Sequence, residues 1–97
     1  MATYVILFRY TSKGIENVKK SPERVEAVKK SFKAAGAEVK QFYLLMGRYD
    51  TVIVAEAPDD ETIARLTLSL GAEGNVRTET LRAFTEAEFH KLVAALP

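Results

Sequence analysis

The sequence predicts an α+β fold in which strands and helices run β-α-β-β-α-β and a further helix follows. Three observations predict it. Thr3–Tyr10, Val39–Met46, Thr51–Ala57 and Asn75–Phe84 are short runs bounded by turn residues. The first three are rich in β-branched and aromatic residues and too short for ordinary helices. Between them, Pro22–Ala35 and Asp60–Leu70 carry apolar residues at helical spacing. Finally, 97 residues that are 47% hydrophobic make one domain, residues 1–97, with material for one core.

Thr3–Tyr10 has two largely apolar faces, Tyr4, Ile6, Phe8, Tyr10 and Thr3, Val5, Leu7, Arg9. A strand apolar on both sides belongs at the centre of a sheet. Thr11–Lys20 is a polar connection around Gly14, with a short helical turn carrying Ile15 and Val18. Ser21-Pro22 marks a helix start, the serine as cap and the proline at the first helical position. Val25, Val28, Phe32 and Ala35 form its buried stripe, and Gly36 closes it. Val39–Met46 carries Lys40 and Gln41 near its start, which suits an edge. Thr51–Ala57 is apolar on both faces until Glu56, and Pro58 stops it. Asp59, Asp60 and Glu61 crowd the start of the next helix, where acids suit the positive end of the helix dipole. Its stripe is Ile63, Leu66, Thr67 and Leu70, and Gly71–Gly74 ends it. Asn75–Phe84 is more polar, which predicts the other edge. Thr85 and Glu88 then form a capping box, Phe84 and Phe89 are spaced for a hydrophobic staple, and Phe89, Leu92, Val93 and Leu96 line one side of the last helix.

The first six elements match the ferredoxin-like split βαβ pattern, with strands one and three central. Two helices cover one face of such a sheet. The other face is apolar too, and the last helix alone is too small to cover it. A second copy of the sheet is the simplest cover, so the sequence predicts a homodimer or higher homo-oligomer with sheets face to face.

Charge and composition remove several functions. The net charge is +1, but residues 1–50 carry +5 and residues 51–97 carry −4. Much of the excess, Lys19, Lys20, Arg24, Lys29, Lys30 and Lys33, falls on the first long helix and its approach: a solvated face, or a surface for an acidic partner. A near-neutral domain does not carry a nucleic-acid footprint. RNA-recognition modules share this topology but need stacked aromatics on strands one and three, where this chain has Ile53 and Ala55. With no cysteine and one histidine, His90, no thiolate site or closed zinc site is expected, and no cofactor is implied. His90 stands one turn from Glu86, a spacing usual on a solvated face. Thr3–Phe8 is too short for a signal core or a membrane span, so a cytoplasmic protein without membrane contact is expected.

Met46-Gly47-Arg48-Tyr49-Asp50 turns the chain between two strands and places an aromatic and an acid at the mouth of the sheet. Tyr49 and Asp50 are the candidate proton-handling pair; the plainer reading is that Asp50 caps the turn and Tyr49 seals an apolar edge. Arg77 is placed to pair with Asp50, to hold a carboxylate or phosphate, or to join Glu79 on its own face as an edge or inter-subunit pair. Asn75, Tyr43 and Arg48 complete the candidate ligand-binding set. Tyr4, Phe8, Tyr10 and Tyr43 supply aromatic walls, for a pocket or for packing.

Gly47-Arg48-Tyr49-Asp50 resembles the G-x-Y-D signature of the GYD-domain family. The resemblance runs through Thr3-Tyr4-Val5, the Asn17–Arg24 segment (N-V-K-x-S-P-x-R), Phe42-Tyr43, Ala55–Glu61 and Gly74–Phe84. Phe8-Arg9-Tyr10-Thr11 departs from it, where an Asn-Trp-like pair is expected before the threonine. The resemblance implies a small domain related in fold to the dimeric α+β barrels and implies no reaction. The expectation is therefore a small homo-oligomer that binds a small metabolite or a protein partner. The alternative is a cofactor-independent enzyme, a monooxygenase or isomerase, acting on a small aromatic or anionic substrate.

Overall fold

Strand β1 (Ala2–Tyr10) is the organising element of the computed structural model, which describes residues 1–97. It is followed by a short helix α1 (Ser12–Glu16), a 3-10 turn (Val18–Lys20) and the long helix α2 (Ser21–Ala34). Then come β2 (Glu38–Leu44), β3 (Thr51–Ala57), α3 (Asp60–Ala72), β4 (Val76–Ala83) and α4 (Glu86–Ala94). The sheet order is β2-β3-β1-β4 and every pairing is antiparallel, so β1 and β3 are central and β2 and β4 are edges, as the sequence predicts.

The pleat decides which residues form the core. In β3, Thr51, Ile53, Ala55 and Ala57 are buried, while Val52, Val54 and Glu56 between them stay partly exposed. Their β1 partners follow: Phe8 opposite Thr51, Ile6 opposite Ile53 and Tyr4 opposite Ala55 all point to the helix side. Phe32 of α2 and Ile63 of α3 close on them from above. Fully burying Ile6 or Phe32 contributes roughly 1.5–3 kcal/mol each. The opposite face of the sheet carries no helix. It displays Val5 and Leu7 of β1, Val52 and Val54 of β3, Leu81 of β4 and Tyr43 of β2, all half-buried or exposed.

Helix α4 covers none of that open face. Its capping box forms: the Glu88 amide donates to Thr85 Oγ1 at 3.1 Å, and the Thr85 amide donates to Glu88 Oε1 at 2.8 Å. The second of these bonds favours the ionised acid and draws the Glu88 carboxyl below its usual range. Yet α4 buries no residue, and Phe89, Leu92, Val93 and Leu96 remain exposed. The molecule is accordingly flat and long, 52 × 31 × 18 Å with a radius of gyration of 14.6 Å. A compact chain of this length would have about 12.5 Å.

Several expected boundaries change: β1 begins one residue earlier, β4 is one residue shorter at each end, and α3 runs on through Gly71 to Ala72. Ser21 is not a cap but the first residue of α2. The 3-10 turn runs directly into the helix, the Ser21 amide donates to the Val18 carbonyl, and Ser21 Oγ instead receives Tyr10 Oη at 3.2 Å and Arg24 Nη2 at 3.1 Å. The β2 strand begins at Glu38, and a bulge between Val39 and Gln41 leaves Lys40 unpaired. It ends at Leu44 rather than Met46, because the Leu45 amide already donates to the Asp50 carbonyl at 2.8 Å and closes the loop there. Met46 is fully exposed and Gly47 sits at φ +122°, a conformation that glycine adopts without a side-chain clash.

Gly14 carries a constraint that composition does not show. A Cβ there would lie 1.9 Å from the Asn75 carbonyl oxygen, because α1 crosses the entry to β4 at backbone contact. Thr11 fixes the same crossing: its amide donates to the Asn75 carbonyl at 3.1 Å and its hydroxyl to the Gly74 carbonyl at 2.5 Å. Gly14→Ala is expected to destabilise the protein by roughly 1–3 kcal/mol through forced backbone displacement. Urea unfolding measures it, and an unchanged midpoint would show that the crossing yields freely.

Candidate functional site

The Met46–Asp50 loop lands on the end of β1 rather than standing free. The Asp50 amide donates to the Phe8 carbonyl at 2.8 Å, and the Tyr10 amide donates to Asp50 Oδ2 at 2.8 Å. Asp50 thus prolongs the β1–β3 ladder by one rung, the side chain standing in for a missing strand residue. An ionised acceptor makes that bond stronger than a neutral one. Asp50 makes no ion pair with Arg77. The Lys40–Glu38 ion pair spans 3.7 Å and His90 Nε2 lies 3.7 Å from Glu86 Oε2 on an exposed face, while Arg77 and Glu79 form no ion pair with each other.

Tyr49 turns the other way, onto the open face. Its hydroxyl donates to Glu79 Oε1 at 3.0 Å, and the Arg9 guanidinium lies 4.9 Å from its ring centroid. Arg9 stands directly opposite Arg77 across the β1–β4 ladder. Tyr49, Arg9, Arg77 and Glu79 therefore form one cluster at one corner of the open face. Tyr43 shares that face on the far strand, paired with Val52. Arg48 is exposed at the loop tip. Asn75 belongs elsewhere: its carbonyl is held by Thr11, and it lines a cleft between α2 and α3 on the helix side. The six candidate residues thus divide among the open face, the loop and the cleft.

The cleft has a volume of about 230 Å³. Phe8, Phe32 and Ile53 line it from below and Val28, Leu66 and Leu70 from the helices, with Arg24, Glu73 and Asn75 among its polar lining.

A further polar group escapes a reading of the sequence by motif. Tyr4 Oη donates to Asp60 Oδ1 at the start of α3, and the Arg82 guanidinium lies 5.6 Å from the Tyr4 ring centroid and 4.5 Å from that of Phe84. Burial, then the Asp60 hydrogen bond, pushes the Tyr4 hydroxyl from 10.0 up to about 12. Beside it, Asp59 caps α3 by accepting from the Thr62 hydroxyl at 2.7 Å and amide at 2.9 Å, which holds its carboxyl below the usual range. In the sequence Tyr4 is one more apolar strand residue; the β1–β4 register sets Arg82 opposite it, and the start of α3 brings Asp60 to its hydroxyl.

A family model, the GYD domain, matches residues 4–93. The chain belongs to the GYD-domain family. Its relatives include the glutamine synthetase and cystathionine beta-lyase binding protein of Thermus thermophilus, 38% identical over 89 residues that cover 91% of this chain and 94% of that protein. Among solved structures, a Thermus thermophilus protein superposes with a TM-score of 0.56 at 26% identity, covering 88% of this GYD-domain chain and 95% of that one. The leucine response regulatory protein of Mycobacterium tuberculosis superposes with a TM-score of 0.65 at 14% identity, covering 87% and 51%. An AsnC family transcriptional regulator of Agrobacterium tumefaciens gives 0.64 at 21%, covering 88% and 51%. The last two share the α+β ferredoxin-like fold. No helix of the chain is long and apolar enough to cross a membrane.

The Tyr4 hydroxyl makes stability depend on pH in the alkaline range. Below pH 10.0 tyrosine keeps its proton whether the chain is folded or not, so the contribution is full. As pH rises from 10.0 towards about 12, the unfolded chain releases the proton while the folded one retains it, and stability falls. Tyr4→Phe is expected to flatten that fall. Urea midpoints at about pH 9 and about pH 11 measure it; equal losses in wild type and variant would assign the fall to other groups.

Proposed function

We propose that this protein is a homodimeric binding protein that docks on an enzyme partner, with glutamine synthetase and cystathionine β-lyase as the candidates. The carrying observation is α4: a helix with a completed capping box that buries none of its own residues, so that Phe89, Leu92, Val93 and Leu96 stand exposed. An amphipathic helix needs a partner for its apolar side, and a groove on another protein is a common one. The open sheet face is a second, separate apolar surface. Four strands at about 4.8 Å and about seven residues at about 3.3 Å make the whole face roughly 19 by 23 Å, with Val5, Leu7, Val52, Val54 and Leu81 across its middle, a size that suits the core of a stable interface. In this reading the sheet joins two copies and α4 recognises the enzyme. The name of the 38% identical relative supports the choice of partners.

The cleft between α2 and α3 favours a second role, binding of a small metabolite with an apolar body, because apolar side chains line most of it and charged Arg24 and Glu73 join them. Catalysis at Tyr49 or Asp50, with Arg77 holding an anionic substrate, fits less well, since the Asp50 carboxylate is engaged by the Tyr10 amide.

Native mass spectrometry of the protein mixed with each purified enzyme tests the proposal. A complex with at least one of them is expected, lost on Leu92→Asp while the free variant keeps the oligomeric state of the wild type. A retained small molecule appears in the same spectra as added mass. No complex with either enzyme would contradict the enzyme-partner reading.

A further inference from the structure

The open sheet face carries two like-charge pairs. Arg9 of β1 stands opposite Arg77 of β4. Glu38 of β2 stands opposite Glu56 of β3. Directly opposed residues of an antiparallel pair have Cβ atoms about 4.5–5.5 Å apart, and like charges there are destabilising. Both pairs lie on the helix-free side. Arg9 alternates with the buried Phe8, and Glu56 with the buried Ala55 and Ala57.

The pairs occupy opposite corners. Arg9 and Arg77 sit where β1 ends and β4 begins, in the β1–β4 half of the sheet. Glu38 and Glu56 sit where β2 begins and β3 ends, in the other half. Glu56 pairs with Thr3, six residues before Arg9, so the corners are separated along the strands by roughly 20 Å. That exceeds the Debye length of about 8 Å at physiological ionic strength, so the corners do not neutralise each other within one chain. Each corner also holds one charge of opposite sign. Glu79 adjoins the arginines, its carboxylate bound by Tyr49 Oη. Lys40 adjoins the acids, 3.7 Å from Glu38. One corner thus reads plus, plus, minus and the other minus, minus, plus, with Val5, Leu7, Val52, Val54 and Leu81 between them.

Resting on the homodimer reading, we infer that these corners set how the two copies meet: the Arg9–Arg77 corner of each copy packs on the Glu38–Glu56 corner of the other. A two-fold axis in the plane between the sheets and perpendicular to the line joining the corners makes this match twice, as a self-complementary interface requires. The apolar strip supplies the attraction, and the corners select the register by penalising superpositions that bring like charges together. Tyr49 has a place in this arrangement: its ring against Arg9 and its hydroxyl on Glu79 hold the basic corner in shape. It is a positioning residue for the interface.

Paired charge reversal tests the inference by sedimentation velocity. Arg9→Glu with Arg77→Glu is expected to raise the dimer dissociation constant about tenfold or more, and Glu38→Arg with Glu56→Arg to do the same. An equimolar mixture of the two variants is expected to form a heterodimer tighter than either variant's own homodimer, because one of its two corner contacts then joins opposite charges in reversed sense and the other in the original sense. Circular dichroism checks that each variant is folded; all four positions are surface sites. If the wild-type dimer forms and both reversed variants dimerise equally well, or if mixing gives no recovery, the register inference is overturned and the dimer stands. A monomeric wild type would overturn the homodimer reading itself, and this inference with it.

Discussion

A four-stranded sheet has two faces, and this chain supplies helices for one. That constraint runs through the structure. β1 and β3 are apolar on both sides, yet only Tyr4, Ile6, Phe8, Ile53, Ala55 and Ala57 reach a closed core. The remaining valines and leucines sit on a face about as wide as a protein–protein interface core. A last helix folded back over them would have covered part of that face. Instead the capping box starts α4 in a direction that leaves both the face and the helix stripe uncovered. Two surfaces with exposed apolar side chains remain.

The G-x-Y-D segment joins the covered and uncovered sides. Asp50 faces the backbone of β1 and extends its ladder, while its neighbour Tyr49 faces the open side and braces Arg9 and Glu79. One residue fixes where β3 begins and the next fixes the geometry of a charged corner. This division explains why an acid and an aromatic stand in sequence there without a pocket between them. Gly47 lets the chain arrive at that position, and Leu45 closes the loop on the Asp50 carbonyl.

Much of this is legible in the sequence because it is local. The apolar run Thr51–Ala57, helical spacing around Phe32 and Ile63, and the Thr85–Glu88 box each declare themselves within a few residues. Element order then leaves few topologies. The pairings across the sheet are not legible. Arg9 beside Arg77, Glu38 beside Glu56 and Arg82 over Tyr4 depend on register, and a slip of one residue would send a strand's whole set of side chains to the other face. For the same reason the sequence allows Arg77 to reach Asp50, whereas a strand amide holds Asp50 in the structure. Gly14 reads as a loop residue; only the crossing of α1 over Asn75 shows why no larger side chain fits. Ser21 does not cap α2 because the preceding 3-10 turn already supplies the helix with a start.

If a second copy of the chain covers the open face, the protein in solution must have the mass of at least two chains. Sedimentation equilibrium of the wild-type protein at micromolar concentration tests this most directly. The expected mass is about twice the 10.8 kDa of one chain. A mass of one chain across that range would contradict it, and would leave the sheet face open in solution.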